Sequence, residues 1–210
     1  MRVKVGIIDY GMGNLRSVSN AVRAVGAEPG YVEEPEKLNQ YDKLILPGVG
    51  AFVDAMNRLK ETGMDQALTK QLQKDKPILG LCLGMQLMCS DSEEGGHFKG
   101  LGWFDASVKR FPEELNLKIP HIGWNNLKVS NHPLFKGIEP DPDVYFVHSY
   151  RVVCSNNDDV LAWCEYGQPF AAVIGHINII GIQFHPEKSQ RVGLAMIKNF
   201  IEENLCSKKD

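Results

Sequence analysis

At 210 residues and a formal net charge of −3, the chain is long enough for one full hydrophobic core and has no electrostatic footprint for nucleic acid. Hydrophobic residues at 43% and charged residues at 23% fit an ordinary soluble globular protein, so one domain over residues 1–210 is expected. Met1-Arg2-Val3-Lys4 runs into apolar Val5–Ile8, which Asp9 interrupts; that is too short for a signal-peptide core or a membrane span. Five cysteines (Cys82, Cys89, Cys154, Cys164, Cys206) with no C-x-x-C pair indicate neither a disulfide framework nor a zinc site. A reduced, cytoplasmic compartment is the expectation. The terminal Lys208-Lys209 reads as a frayed tail.

The first half alternates strand and helix. Val3–Ile8 is an apolar run of the kind a buried parallel strand needs. Leu15, Val18, Val22 and Val25 then line one helical face that Gly26 ends. Leu44–Leu46 is a second buried run, closed by Pro47. Helical stretches follow over Asp54–Lys60 and Met64–Lys74. Pro77–Leu81 is a third buried run and leads into apolar Met85–Met88, which predicts a helix long enough to include Cys89 as a small core residue. This βαβ pattern predicts a mostly parallel sheet flanked by helices.

The second half changes character. Short β-like runs fall at Ser107–Phe111, Asn126–Val129, Val144–Val153, Leu161–Cys164 and Ala171–Ile174, separated by turn clusters at Ser155–Asp159 and Tyr166–Pro169. They predict an added antiparallel section. Glu139–Pro142 reads as a loop, Ile177–Phe184 as a returning buried strand, and Val192–Leu205 as a terminal helix.

Two segments carry chemistry. Gly80-Leu81-Cys82-Leu83-Gly84 is the cysteine version of the G-x-S-x-G nucleophile elbow. A sharp strand-to-helix turn holds the nucleophile in strained backbone geometry, and glycine two residues to either side removes Cβ atoms that would clash. The thiol then sits at a helix N-terminus, which favours thiolate. Gln183-Phe184-His185-Pro186-Glu187-Lys188-Ser189 lies past the last buried strand. A thiol nucleophile needs a base that takes its proton and returns it to the leaving amine, and His185 suits that task at neutral pH. Glu187, past a stiffening proline, supplies the acceptor that orients the ring. Both segments end strands, where ligands of open α/β sheets bind.

Other patterns are weaker. His185-Pro186-Glu187 lacks the P-C-x-x-C of a zinc deaminase. Gly11-Met12-Gly13-Asn14 fails as a dinucleotide fingerprint because Arg16 holds the third glycine position. His97, His132 and His176 read as surface or satisfied histidines. Pro47-Gly48-Val49-Gly50-Ala51-Phe52 is a Gly-rich turn beside the elbow. Acyl chemistry at Cys82 passes through an oxyanion that needs backbone N–H donors. Leu83 is the natural first donor, and Val49 or Gly50 the second; glycines flanking Val49 would let that peptide turn over cheaply.

GLCLGMQ at 80–86 and HPEKS at 185–189 resemble the two signatures of class I, triad-type glutamine amidotransferases. DYGMGNL at 9–15, PGVGAF at 47–52, HIGWN at 121–125 and VHSY at 147–150 narrow the resemblance to the HisH family, the glutaminase subunits of imidazole glycerol phosphate synthase. The resemblance spans essentially the whole chain and implies the flavodoxin-like fold of class I amidotransferases. It implies Cys82 as nucleophile, His185 as acid and base, and Glu187 as its orienting partner. Gly50, Gln86, Glu94, Ser149 and Tyr150 would line the glutamine pocket. Asn14, Trp124 and Lys188 would face the synthase (cyclase) subunit, a HisF-like (β/α)8 barrel, in a heterodimer that channels ammonia for histidine biosynthesis. No metal or cofactor is implied. Gln190 stands where glycine commonly follows HPEKS; lying beyond the triad, it is expected to matter little.

Three other readings compete. Paralogues of this family deliver ammonia to synthases of amidated surface-polysaccharide or flagellar sugars, with the same chemistry and another acceptor. A free-standing thiol hydrolase, such as a peptidase, is disfavoured by Gln86 and the HSY segment, which suit a small amide-bearing amino acid. A binding subunit that has lost its chemistry is disfavoured by the complete triad.

Overall fold

The computed structural model describes residues 2–203; Lys208-Lys209, Cys206 and the end of the expected terminal helix at Leu205 lie outside them. In chain order the elements are β1 (Lys4–Ile8), α1 (Leu15–Ala24), β2 (Glu28–Val32), β3 (Lys43–Leu46), α2 (Phe52–Glu61), α3 (Met64–Leu72), β4 (Ile78–Leu81) and α4 (Leu83–Leu87). There follow β5 (Cys89–Ser92), β6 (Phe98–Lys99), β7 (Phe104–Arg110), β8 (His121–Val129), β9 (Asp143–His148), β10 (Tyr150–Cys154), β11 (Val160–Tyr166), β12 (Gln168–His176), β13 (Ile179–Ile182) and α5 (Gln190–Glu202). Among the described residues no helix is long and apolar enough to cross a membrane.

The centre is a parallel array in the order β2-β1-β3-β4-β13. Its inner strands β1, β3 and β4, with β13, are covered on both faces, which explains their apolar runs. Side chains alternate between two cores. Val5, Ile7 and Ile45 pack with Val18 and Val22 of α1 and Met196 and Phe200 of α5. Ile8, Leu44 and Leu46 pack with Phe52 and Leu59 of α2 and Leu68 of α3. Each such fully buried side chain contributes about 1.5–3 kcal/mol of transfer free energy, so neither face is dispensable.

The sheet continues antiparallel from β13 through β12 and β10 to β7, and then through β5, parallel to β7, to β6. β11 pairs with β12 and leads to β8, which pairs with β9. The α/β architecture with an antiparallel addition is as the sequence predicts.

Three local readings are corrected. The helix after Cys82 stops at Leu87, and Cys89 opens β5; it is fully buried, as expected, but in a strand. The run Val144–Val153 is two strands, β9 and β10, broken at Ser149 where the chain passes from the β8–β9 ribbon to the main sheet. β2, Glu-Pro-Gly-Tyr-Val, was not expected as a strand. It is the sheet edge, only Val32 is buried, and Pro and Gly weaken its signal.

Candidate active site

The elbow forms as the spacing requires. Cys82 follows β4 with φ +53° and ψ −109°, and Leu83 begins α4. A Cβ on Gly84 would strike the Leu46 carbonyl oxygen, and one on Gly80 would lie 2.7 Å from the Gly84 carbonyl oxygen. Real Cβ atoms do not approach that closely, so both positions must be glycine for β3, β4 and α4 to pack. The Cys82 N–H donates to the Ile182 carbonyl at 2.7 Å, pinning the turn to β13.

His185 lies three residues past β13, and its Nδ1 is 2.9 Å from Glu187 Oε1. Both side chains are almost wholly buried, at 7% and 2% exposure. The His185 pKa is the outcome of opposed effects. Burial pushes it down, but the neighbouring Cys82 sulfur and the Glu187 carboxylate together push it up to about 9. Ser189 fixes the backbone here: its Oγ donates to the His185 carbonyl at 2.7 Å and accepts from the Tyr145 N–H at 3.0 Å. The His185 N–H in turn donates to the Tyr145 carbonyl at 2.9 Å. The segment bearing the histidine is thus clipped to β9.

Cys82 and His185 open onto one cavity of about 370 Å³, also lined by Val49, Gly50, Leu83, Gln86, Glu94, Ser149, Tyr150 and Lys188. That volume lies in the range of small-molecule sites. Every residue named from sequence for the nucleophile, the base, the oxyanion donors and the glutamine pocket is on its wall; Glu187 stands behind His185. Gly50 has φ +100°, a conformation that favours glycine. Glu94 is half-buried; its Oε2 accepts from the Phe52 N–H at 3.0 Å, and burial raises its pKa.

The residues assigned to a partner surface are exposed. Asn14 caps α1, accepting from the Ser17 N–H at 3.4 Å. Trp124, 49% exposed, sits on β8 with its ring 5.8 Å from Tyr145. Ile122 and Val49 are also exposed, so apolar surface lies near the cavity mouth.

The model of "Glutamine amidotransferase class-I" matches residues 6–204. The chain belongs to the class I glutamine amidotransferases. Named relatives of this amidotransferase include "Imidazole glycerol phosphate synthase subunit HisH" of Sulfurimonas denitrificans, 47% identical over 93% of this chain and 96% of the relative. A second is "Imidazole glycerol phosphate synthase subunit HisH 1" of Campylobacter jejuni, 48% identical over 94% and 98%. A third, "HisH 2" of Pseudomonas aeruginosa, is 45% identical over 93% and 98%. Among solved structures, PurLQS from Thermotoga maritima superposes with a TM-score of 0.77 at 19% identity, over 95% of this chain and 98% of the other. A glutamine amidotransferase from Thermotoga maritima gives 0.70 at 18%, over 98% and 99%. Those two similarities speak to fold.

Some residues of the amidotransferase site were not singled out from sequence. Gln183 is fully buried; its Nε2 lies 3.8 Å from Cys82 Sγ, and its Oε1 accepts from Gln86 Nε2 at 3.0 Å. Tyr10 is buried under the elbow, its hydroxyl donating to the Pro47 carbonyl at 2.9 Å; burial, then the Cys82 charge, raises its pKa. His148 lines the cavity, and His121 sits directly across the ribbon from it. Both histidines lie within motifs that carried the family resemblance, but only strand pairing could reveal that they meet. Of the histidines set aside, His132 accepts from the Leu134 N–H at 3.2 Å, and exposed His176 lies 3.6 Å from Asp159.

Proposed function

We propose that this chain is a single glutaminase domain acting as the glutaminase subunit of an imidazole glycerol phosphate synthase. The observation that carries the reading is the elbow cysteine sharing one amino-acid-sized cavity with a carboxylate-held histidine. Cys82 gives its proton to His185, and its sulfur attacks the side-chain amide carbon of glutamine. The tetrahedral oxyanion is held by the Leu83 amide and by an amide of the Val49-Gly50 turn. The C–N bond breaks as His185 returns the proton to the departing ammonia. Water, deprotonated by His185, then cleaves the glutamyl thioester, giving glutamate and restoring the thiol. Glu187 keeps the ring oriented and stabilises the imidazolium formed twice in the cycle, in line with the raised His185 pKa.

Gly50, Gln86, Glu94, Ser149 and Tyr150 bind the glutamine. Ammonia released to neutral water would be protonated and lost as a nucleophile, so the product passes directly to a synthase subunit. Exposed Trp124, Ile122 and Val49, with Asn14 and Lys188, suit a docked HisF-like (β/α)8 barrel in a cytoplasmic heterodimer. The relatives' names support the histidine pathway as the destination of the ammonia.

Glutamate release from glutamine tests this, measured with the chain alone and with the cyclase subunit from the same genome plus its ribonucleotide substrate. Strong stimulation by that subunit is expected. Stimulation only by a sugar-amidating synthase would reassign the acceptor, and no glutaminase activity under any condition would refute the mechanism.

A further inference from the structure

Behind the glutamine pocket lies a chain of hydrogen bonds that the chemistry above does not use. β8 and β9 pair so that His121 faces His148, and His121 Nδ1 is 3.0 Å from His148 Nε2. His148 Nδ1 is 2.8 Å from the Tyr150 carbonyl oxygen. On the other side, His121 Nε2 is 3.5 Å from Asn125 Nδ2, which also donates to the Glu165 carbonyl at 2.8 Å.

The protons in this chain can be assigned. A carbonyl oxygen only accepts, so His148 Nδ1 carries its hydrogen. A neutral imidazole has one hydrogen, so His148 Nε2 is bare and must accept from His121 Nδ1. His121 Nε2 is then bare in turn, facing the Asn125 amide hydrogens. Each member fixes the tautomer of the next. Both rings are buried, with His121 stacked between Phe146 and Tyr166 at 4.8 and 4.0 Å between centroids. Burial lowers the pKa of His121 to about 4 and that of His148 to about 3, so both are neutral near pH 7.

The Tyr150 carbonyl that ends this chain accepts a second bond, from Gln86 Nε2 at 3.2 Å. Gln86 Nε2 also donates to Gln183 Oε1 at 3.0 Å. Both amide hydrogens of Gln86 are therefore committed, and Oε1 is the atom it has left to offer a ligand's N–H donor. Losing the His148 bond would loosen that carbonyl and leave Gln86 firmly held on the Gln183 side alone.

Resting on the glutaminase reading, we propose that His121 and His148 are positioning residues: a tautomer-locked pair that holds the Tyr150 carbonyl, and through it Gln86, in the orientation that receives glutamine. Neither donates or accepts a proton in the reaction.

The test uses two substitutions and two readouts. His121→Asn keeps a donor near the Nδ1 position, whereas His121→Leu removes it. In the complex with its synthase subunit, His121→Leu should raise the KM for glutamine about three- to tenfold, the worth of one neutral hydrogen bond. It should leave kcat within about twofold, and His121→Asn should restore most of the KM. Nitrogen-15 NMR of the histidine rings in the wild-type chain should show His148 protonated at Nδ1 and bare at Nε2, and His121→Leu should blur that assignment. The proposal is overturned if His148 carries its proton on Nε2, if His121→Leu leaves KM unchanged in a folded protein, or if His121→Asn fails as fully as His121→Leu. The NMR readout needs no activity, so it judges the pair even if the glutaminase reading were to fail.

Discussion

The two walls of the cavity are built by different means. The elbow wall is local: β4, Cys82 and α4 are consecutive in sequence, and Gly80 and Gly84 let them fold onto β3. The ribbon wall is non-local: His148, Ser149 and Tyr150 reach the cavity only because β9 pairs with β8, while β10 pairs with β7 and β12. Strain and close packing hold Cys82, whereas a hydrogen-bonded network runs through the ribbon wall. Damage to the first should appear in turnover, and damage to the second in substrate binding.

The largest effect belongs to the elbow. Cys82→Ala should abolish glutamine-dependent glutamate release while free ammonia still drives the partner synthase; surviving glutamine use would break the assignment. Next is the carboxylate behind His185. Glu187→Gln should lower kcat about 10²- to 10⁴-fold with a much smaller change in KM, read from steady-state kinetics. It should also change the pH dependence of stability. The His185 pKa is raised from 6.5 to about 9, so its favourable contacts contribute fully below about pH 6.5 and are lost as pH rises through about 9. Urea unfolding of the wild type should weaken between pH 7 and 10, and Glu187→Gln should flatten that slope.

A smaller effect tests the packing. Gly84→Ala drives a methyl into the Leu46 carbonyl and should cost about 3 kcal/mol in urea unfolding, with activity falling alongside. If it were neutral, the elbow would not rest on close backbone approach. The smallest concerns Gln190, which has φ +52° at the start of α5. Gln190→Gly should stabilise by about 0.5–1 kcal/mol and leave kinetics unchanged, because it relieves left-handed backbone outside the cavity.

The same contrast explains what could be read in advance. Cys82 and its glycines, and His185 with Glu187, sit at short fixed spacings that state their own geometry, and the buried runs of β1, β3 and β4 signal parallel strands. Cys89 was misplaced because nothing from Leu87 to Cys89 signals a helix stop, and β5, Cys-Ser-Asp-Ser, is too polar to read as a strand. The break at Ser149 was hidden because no Gly or Pro interrupts Val144–Val153, and only the pairing partners change across it. His121, His148 and Gln183 were legible as motif letters but not as neighbours, since 27 residues separate the two histidines and 101 separate Gln183 from Cys82.

The clip from Tyr145 to His185 and Ser189 has a further consequence. β8 and β9 join the main sheet through β11, whereas Cys82 is anchored between the central strands. A sub-global opening that peels the ribbon away would carry off that cavity wall and slacken His185 together, while leaving β4, the strand before Cys82, intact. In native-state hydrogen exchange the amides of β8, β9 and His185 would then form one cooperative unit, exchanging at a lower free energy than the amides of β4 and β13.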